Sequence, residues 1–160
     1  MLDDWTGMDK LKAKEYILNC QSYDGGFGMV PGSESHELDF CLPLSNGLRF
    51  SLLVFVLASQ RQVTDGGFQG RRNKLSDTCY AFWVGGVLKI LGAYHLIDSC
   101  ALRSFLLTCQ SPYGGFTKFP DDRIPDIYHS YYGLAALSLL EEEGLEPLCV
   151  ELGILSAAAL

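Results

Sequence analysis

Apolar residues along the chain follow two different patterns, and each predicts a different kind of helix. An i, i+3, i+4, i+7 spacing, typical of an amphipathic helix, is formed by Leu102, Phe105, Leu106 and Cys109. The segments 78–91 and 127–140 are instead apolar almost all round, and a helix without a polar face is buried on every side. The pattern therefore predicts an all-α protein in which amphipathic outer helices alternate with buried inner helices.

A seven-residue motif, Q-x-x-x-G-G-F, occurs three times, and its copies begin at Gln21, Gln62 and Gln110. These starts are 41 and 48 residues apart, which is the period of helical-pair repeats. Each Gly-Gly pair predicts left-handed backbone that ends a helix and turns the chain, and we expect the Phe to pack back against the turn. The stretch 37–57 departs from the repeat. It contains an apolar run without helical or alternating periodicity, which fits a short buried helix or a strand.

Composition and charge narrow the class of protein. Of the 160 residues, 48% are apolar and 19% are charged, which is typical of a folded globular chain and excludes disorder. The net charge of −7 argues against nucleic acid as the main partner, because a phosphate-binding surface is normally basic. The first residues lack the apolar core of a signal peptide, and no apolar run approaches the roughly 20 residues of a membrane span. We therefore expect a cytoplasmic protein with no transmembrane segment.

Three side chains are candidate metal ligands: Asp77, Cys79 and His129. Asp77 and Cys79 lie at the predicted entrance of one inner helix, and His129 lies in the first turn of the other. If both helices begin at the same end of the layer, a carboxylate, a thiolate and an imidazole converge. Three such ligands with an open fourth position are typical of catalytic zinc. The alternative is that Cys79 is a core residue, since a D-x-C pair with a distant His is a weak pattern.

A dense basic segment, 71–74, directly precedes the helix of Asp77 and Cys79. Cations beside a helix N-terminus favour a phosphate or diphosphate, whereas the alternative is an exposed basic turn. His36, which follows a separate turn, is a further candidate anion donor. An aromatic wall for an apolar ligand is offered by four residues that are otherwise ordinary core aromatics: Trp83, Tyr128, Tyr131 and Tyr132.

These motifs together resemble those of the beta subunits of the protein prenyltransferases. The matching stretches lie within 20–36, 65–83 and 125–133, and the resemblance is closest to the geranylgeranyltransferase type I beta subunits of plants. It implies a zinc-assisted transferase, with one zinc ion per beta subunit, that moves a geranylgeranyl group from its diphosphate to the cysteine thiol of a CaaX protein. It also implies a separate alpha subunit as partner.

Carried over position by position, the resemblance assigns roles to individual residues of this sequence. It implies that Asp77, Cys79 and His129 bind the zinc ion and carry the catalysis. It implies a diphosphate site made of four residues: His36, Arg71, Lys74 and Tyr80. Trp83 is implied to line the isoprenoid tunnel.

The resemblance further implies an alpha-alpha barrel (toroid) of the prenyltransferase and terpenoid cyclase type, which this chain fills only in part. Residues 1–153 are predicted to form an incomplete barrel domain, with 37–57 as a divergent insert and 154–160 as a tail. We expect a truncated or alternatively spliced form with exposed apolar faces and weak or absent activity. The alternatives are a farnesyltransferase or Rab-type beta subunit, and a non-catalytic helical-repeat fragment that binds the alpha subunit.

Overall fold

The structure is a computed structural model that describes residues 7–22, 28–34, 61–71 and 73–159. In this part of the chain the α-helices are α1 (Lys10–Asn19), α2 (Thr78–Ile90), α3 (Ser99–Thr108) and α4 (Ile127–Leu139). Two short strands, β1 (Leu148–Cys149) and β2 (Ile154–Leu155), pair antiparallel, and 3₁₀ turns occupy Tyr94–Leu96 and Ser156–Ala158. The predicted insert 37–57, His36 and the Gly-Gly-Phe of the first motif lie outside the described residues.

The buried core lies where α2, α3 and α4 meet. The predicted amphipathic stripe is confirmed, since each of its residues is at most 2% exposed: Leu102, Phe105, Leu106 and Cys109. Along α2, nine of the thirteen residues are buried, so the prediction of an inner helix without a polar face is also confirmed. Helix α2 packs directly on α4, and this pairing of the two inner helices positions the site described below.

Helix α4 is buried on one side only, which differs from the prediction for 127–140. Its small residues, including Gly133 and Ala136, are buried, whereas Ile127, Tyr131 and Leu134 are exposed. Among the described elements, α2, α3 and β1 contact α4, and the exposed residues are those that these contacts leave uncovered. The open face agrees with the expectation that an incomplete barrel leaves apolar surface uncovered.

The Gly-Gly turn of the third motif is separate from the end of α3, which corrects, for this described copy, the expectation that the pair terminates the helix. Helix α3 ends at Cys109 in a right-handed conformation, and Gly114 and Gly115 follow within a tight turn, with φ of 97° and 80°. The Ser111 N–H donates to the Gly115 carbonyl at 2.9 Å and closes that turn. The motif phenylalanines pack back as predicted, since both in the described copies are almost fully buried: Phe68 and Phe116.

The glutamine that opens the second motif joins its turn to the next outer helix. The Gln62 side-chain amide donates to the carbonyls of Gly66 and Asp98, both at 2.9 Å. The Asp98 N–H in turn donates to Gln62 Oε1 at 2.8 Å. Because Asp98 is the N-cap of α3, this glutamine fixes the turn against the start of that helix.

The all-α fold class is confirmed apart from the small hairpin of β1 and β2. The Tyr131 hydroxyl donates to the Gly153 carbonyl in the turn of this hairpin, which ties the hairpin to α4. In the described ranges, no helix combines the length and the apolar character that crossing a bilayer requires. The predicted domain limits at 153 and 154 stay predictions.

Candidate metal and anion site

The first turn of α2 is held in place by Asp77 and by a neighbouring loop. Asp77 is the N-cap residue, with extended backbone, and its Oδ1 accepts the Cys79 N–H at 3.0 Å. The Thr78 hydroxyl donates to the Thr117 carbonyl at 2.7 Å, and the Thr78 N–H donates to the Lys118 carbonyl at 3.1 Å. Capping by Asp is favourable because its carboxylate satisfies an otherwise unpaired amide. Capping therefore places a buried carboxylate and a buried thiol two residues apart.

The first turn of α4 presents His129 in a fixed orientation. Asp126 is the N-cap residue, and its Oδ1 accepts the His129 N–H at 2.8 Å. The His129 Nδ1–H donates to Asp126 Oδ2 at 2.6 Å, because a carboxylate can only accept. In the neutral imidazole, this arrangement puts the lone pair on Nε2. That nitrogen lies 3.3 Å from Asp77 Oδ1, across the interface of the two helices.

The structure thus brings together the three residues that the sequence singled out as metal ligands. One oxygen of Asp77, the sulfur of Cys79 and one nitrogen of His129 all lie within 4.8 Å of one another. Zinc bonds of about 2.0–2.3 Å place the ligands of one tetrahedral ion roughly 3.3–3.8 Å apart, so a small adjustment accommodates an ion. Carboxylate, thiolate and imidazole are all zinc donors. The donor set and the spacing fit zinc.

The protein groups around Cys79 by themselves favour a protonated thiol. Burial and the adjacent Asp77 carboxylate both raise the pKa of the Cys79 thiol well above its ordinary value. The Lys118 ammonium lies 3.6 Å from Asp77 Oδ2 and offsets part of that negative charge. A divalent cation reverses this balance, because a coordinating thiol is deprotonated.

Two of the predicted diphosphate-binding cations lie at the two ends of one turn that precedes α2. The Lys74 N–H donates to the Arg71 carbonyl at 3.2 Å, and Asn73 between them has a φ of 61°. Arg71 Nη1 donates to Glu34 Oε1 at 2.6 Å, and Lys74 is exposed. The third predicted residue, Tyr80, lies with its ring against the backbone of Gly70, where a Cβ atom would come within 2.0 Å of the ring.

The aromatic wall, formed by Trp83, Tyr128, Tyr131 and Tyr132, extends from the metal ligands to a cavity. Tyr128 and Tyr132 lie 4.8 Å apart between ring centroids, Trp83 and Tyr132 lie 4.9 Å apart, and Trp83 Nε1 donates to the Tyr128 hydroxyl at 3.4 Å. Burial raises the pKa of Tyr128 to about 12, so its hydroxyl stays protonated. The cavity has a volume of about 290 Å³, and its lining includes Trp83, Tyr131, Tyr132 and Val150.

Three residues of this site were not predicted from the sequence. Asp126 orients the ring of His129, and a signal was present, because an Asp directly before an apolar helical segment is typical of an N-cap. Glu34 and Lys118 pair with Arg71 and Asp77 across 37 and 41 residues, and no local pattern predicts such contacts. His36 lies outside the described residues.

Comparison with known proteins gives a consistent result. A family model, the prenyltransferase alpha-alpha toroid domain, matches residues 1–154. Geranylgeranyl transferase type-1 subunit beta from Arabidopsis thaliana is 57% identical over 99% of this chain and 47% of its own length. The subunit of the same name from Dictyostelium discoideum is 37% identical, over 86% of this chain and 41% of its own length. Geranylgeranyl transferase type-2 subunit beta from Saccharomyces cerevisiae is 34% identical, over 85% of this chain and 45% of its own length.

Comparison with a solved structure also indicates a geranylgeranyltransferase fold. Candida albicans protein geranylgeranyltransferase-I, complexed with GGPP, superposes with a TM-score of 0.83 and 31% sequence identity. The match covers 95% of this chain and 49% of that chain. The chain therefore spans about half the length of the relatives that it matches.

Proposed function

Because this chain belongs to the prenyltransferase alpha-alpha toroid family, we propose that it is the zinc-binding part of a protein geranylgeranyltransferase type I beta subunit. The observation that carries the proposal is the convergence of Asp77, Cys79 and His129 at the entrances of two neighbouring helices. Type I is proposed over the Rab-type enzyme because the chain shares more of its sequence with the type-1 relatives than with the type-2 relative.

In this proposal Asp77, Cys79 and His129 hold one zinc ion. When bound, zinc supplies a Lewis acid that lowers the pKa of a thiol ligand, so that a substrate cysteine is thiolate at neutral pH. Asp126 fixes the tautomer of His129 by accepting its Nδ1–H, and such outer partners raise the basicity of a ligating imidazole. Burial of Asp77 and Cys79 keeps water away from their ligand atoms.

The proposed reaction joins the sulfur of the substrate cysteine to C1 of the isoprenoid and forms a thioether. The substrate thiol first releases its proton to solvent; the bond between C1 and the diphosphate oxygen then breaks, and the diphosphate leaves with the electron pair. Negative charge on the diphosphate grows in this step, and fixed cations and donors stabilise it. Arg71 and Lys74 supply the positive charge, Tyr80 supplies a hydroxyl, and His36 stays a predicted fourth donor.

The aromatic wall is proposed to bind the isoprenoid. It leads from Tyr128, beside the metal ligands, through Tyr132 to Trp83 and the cavity. Apolar and aromatic surface with a few polar groups at one end suits a long hydrocarbon that carries a charged head. We expect weak or absent activity, because the chain spans about half the length of the relatives that it matches.

The proposed partners follow from the same assignment. We expect an alpha subunit as the second chain of a heterodimer, geranylgeranyl diphosphate as the donor and the C-termini of CaaX proteins as the acceptors, in the cytoplasm. Residues 1–153 would form the incomplete barrel and 154–160 its tail.

The test begins with zinc content, measured on the purified chain after co-expression with the alpha subunit. We expect one zinc ion per chain, and we expect Cys79→Ala to lose it. Cys109→Ala is the matched control, because Cys109 is equally buried but belongs to the α3 stripe. A well-folded chain without zinc would instead support the non-catalytic fragment.

Prenyl transfer separates the remaining alternatives. The substrates are CaaX peptides that end in Leu, compared with Ser or Met, each supplied with geranylgeranyl or farnesyl diphosphate. Preference for Leu and the geranylgeranyl donor supports type I, whereas preference for Ser or Met and the farnesyl donor supports a farnesyltransferase. Zinc binding without any transfer would restrict the function to that of a metal-binding fragment.

A further inference from the structure

The ion pair between Glu34 and Arg71 joins two segments that are distant in sequence. Arg71 Nη1 donates to Glu34 Oε1 at 2.6 Å, and the side chains of Arg71 and Glu34 are 38% and 76% exposed. A surface ion pair of this kind contributes little to stability. The main effect of this ion pair is therefore on the orientation of the Arg71 side chain, and its effect on the free energy of folding is small.

Glu34 itself is presented by a tightly built turn. The Gly28 N–H donates to the Cys20 carbonyl at 2.8 Å, just after α1. Within the turn, the Ser33 hydroxyl donates to the Val30 carbonyl at 2.8 Å. A Cβ atom on Gly28 would lie 2.1 Å from Ser33 Oγ, so the two ends of the turn are in close contact. Glu34 therefore extends from a fixed base.

Among the described residues, the contact with Glu34 leaves other donors of the guanidinium available for an anion. Arg71 has five N–H donors in a rigid fork, and the contact with Glu34 uses one of them. An arginine that is held at one edge has lost part of its side-chain entropy before the ligand arrives, so binding orders less of it. The exposed Glu34 carboxylate is well solvated, and salt screens its repulsion of an anion.

We propose that Glu34 is a positioning residue, which holds Arg71 in the orientation that receives the diphosphate of the substrate. This inference rests on the proposed function, since it assigns the group that prepares one of the proposed diphosphate-binding cations. It predicts that loss of Glu34 weakens diphosphate binding, although removal of a negative charge would by itself strengthen it. The sign of the effect therefore distinguishes positioning from electrostatic competition.

The experiment measures binding of inorganic pyrophosphate to the full chain by isothermal titration calorimetry. We expect Glu34→Ala to weaken binding about threefold to tenfold, the range for ordering one long side chain. Glu34→Gln, which keeps an acceptor, should retain most of the affinity. Glu141→Ala is the control, because Glu141 pairs with Lys89 at 3.4 Å and is 84% exposed, and its loss changes the net charge equally.

A double-mutant cycle shows whether Glu34 acts through Arg71. In an Arg71→Ala background, Glu34→Ala should have no further effect, because coupled residues are not additive. Unchanged or tighter binding by Glu34→Ala, or additive effects in the cycle, would overturn the proposal while the diphosphate site itself stands. Absence of pyrophosphate binding by the unmodified chain would overturn the proposed diphosphate site together with this inference. If Glu34→Ala fails to fold, Glu34→Asp takes its place: its shorter side chain should weaken pyrophosphate binding, and unchanged or tighter binding by Glu34→Asp would overturn the proposal.

Discussion

Replacing Asp126 with asparagine separates its role in orienting His129 from its role in starting α4. Asparagine caps a helix as well as aspartate does, so the Asn oxygen can still accept the His129 N–H. The Asn amide nitrogen would then face His129 Nδ1, where the structure has a carboxylate oxygen at 2.6 Å. Two donors cannot pair, so the ring is driven to the tautomer that carries its proton on Nε2. With a proton on Nε2, this nitrogen has no lone pair to donate to a metal ion.

The expected loss of zinc affinity follows from the exposure of the two partners. Removal of an outer partner of a ligating histidine costs about 10–100-fold in metal affinity. The His129 side chain is only 12% exposed, but that of Asp126 is 47% exposed, and water can replace part of the lost contact. We therefore expect about a tenfold loss for Asp126→Asn, equivalent to about 1.4 kcal/mol, with little change in the stability of the metal-free chain.

The assay is competition for zinc with a chromophoric chelator, together with thermal unfolding of the metal-free protein. Asp98→Asn is the matched control, because Asp98 caps α3 by accepting the Ala101 N–H at 2.9 Å outside the metal site. It should leave the zinc affinity unchanged. Zinc affinity within twofold of the unmodified chain in Asp126→Asn, or a loss explained by an equal loss of metal-free stability, would refute the reasoning.

Three further predictions concern packing, pH and the isoprenoid. Gly133→Ala would place a Cβ atom 2.7 Å from the Phe116 ring, so chemical denaturation should show a loss of about 1–3 kcal/mol. Zinc affinity should rise with pH, by about tenfold per unit for each proton displaced, because burial and Asp77 raise the pKa of the Cys79 thiol. A zinc affinity that stays constant between about pH 6 and 8 would contradict this prediction. Trp83→Ala should weaken binding of geranylgeranyl diphosphate but leave that of inorganic pyrophosphate unchanged, and equal losses for both would exclude a role in holding the isoprenoid.

Local sequence patterns predicted the helices and the convergence of the three candidate metal ligands, for physical reasons that can be stated residue by residue. The stripe from Leu102 to Cys109 has a period that fits a helix and no other regular structure. Asp77 and Cys79 lie at a helix entrance, where a capping residue and the first turn have fixed relative positions. His129 occupies the equivalent position of the next inner helix, so the packing of two parallel elements of one repeat brings all three together.

The remaining features depend on contacts that no local pattern encodes. Lys118 and Glu34 reach Asp77 and Arg71 from separate loops, and loop conformation is set by tertiary packing. Periodicity alone also cannot say which face of α4 is covered, because its composition is apolar on both faces while its burial depends on what lies beside it. The hairpin of β1 and β2 consists of strands of two residues each, which are too short for an alternating pattern to be recognised.

The double use of Asp77 has a consequence for the order in which the site assembles during folding. Since Asp77 Oδ1 caps α2 and also faces His129, two of the three ligands are arranged as soon as one helical turn forms. The only distant step is the docking of α4, and closing such a loop costs chain entropy. The binding energy of an ion held by both helices would offset that entropy cost when α4 docks. Metal should therefore strengthen the association of α2 with α4 and slow their separation. The local stability of each helix should stay the same.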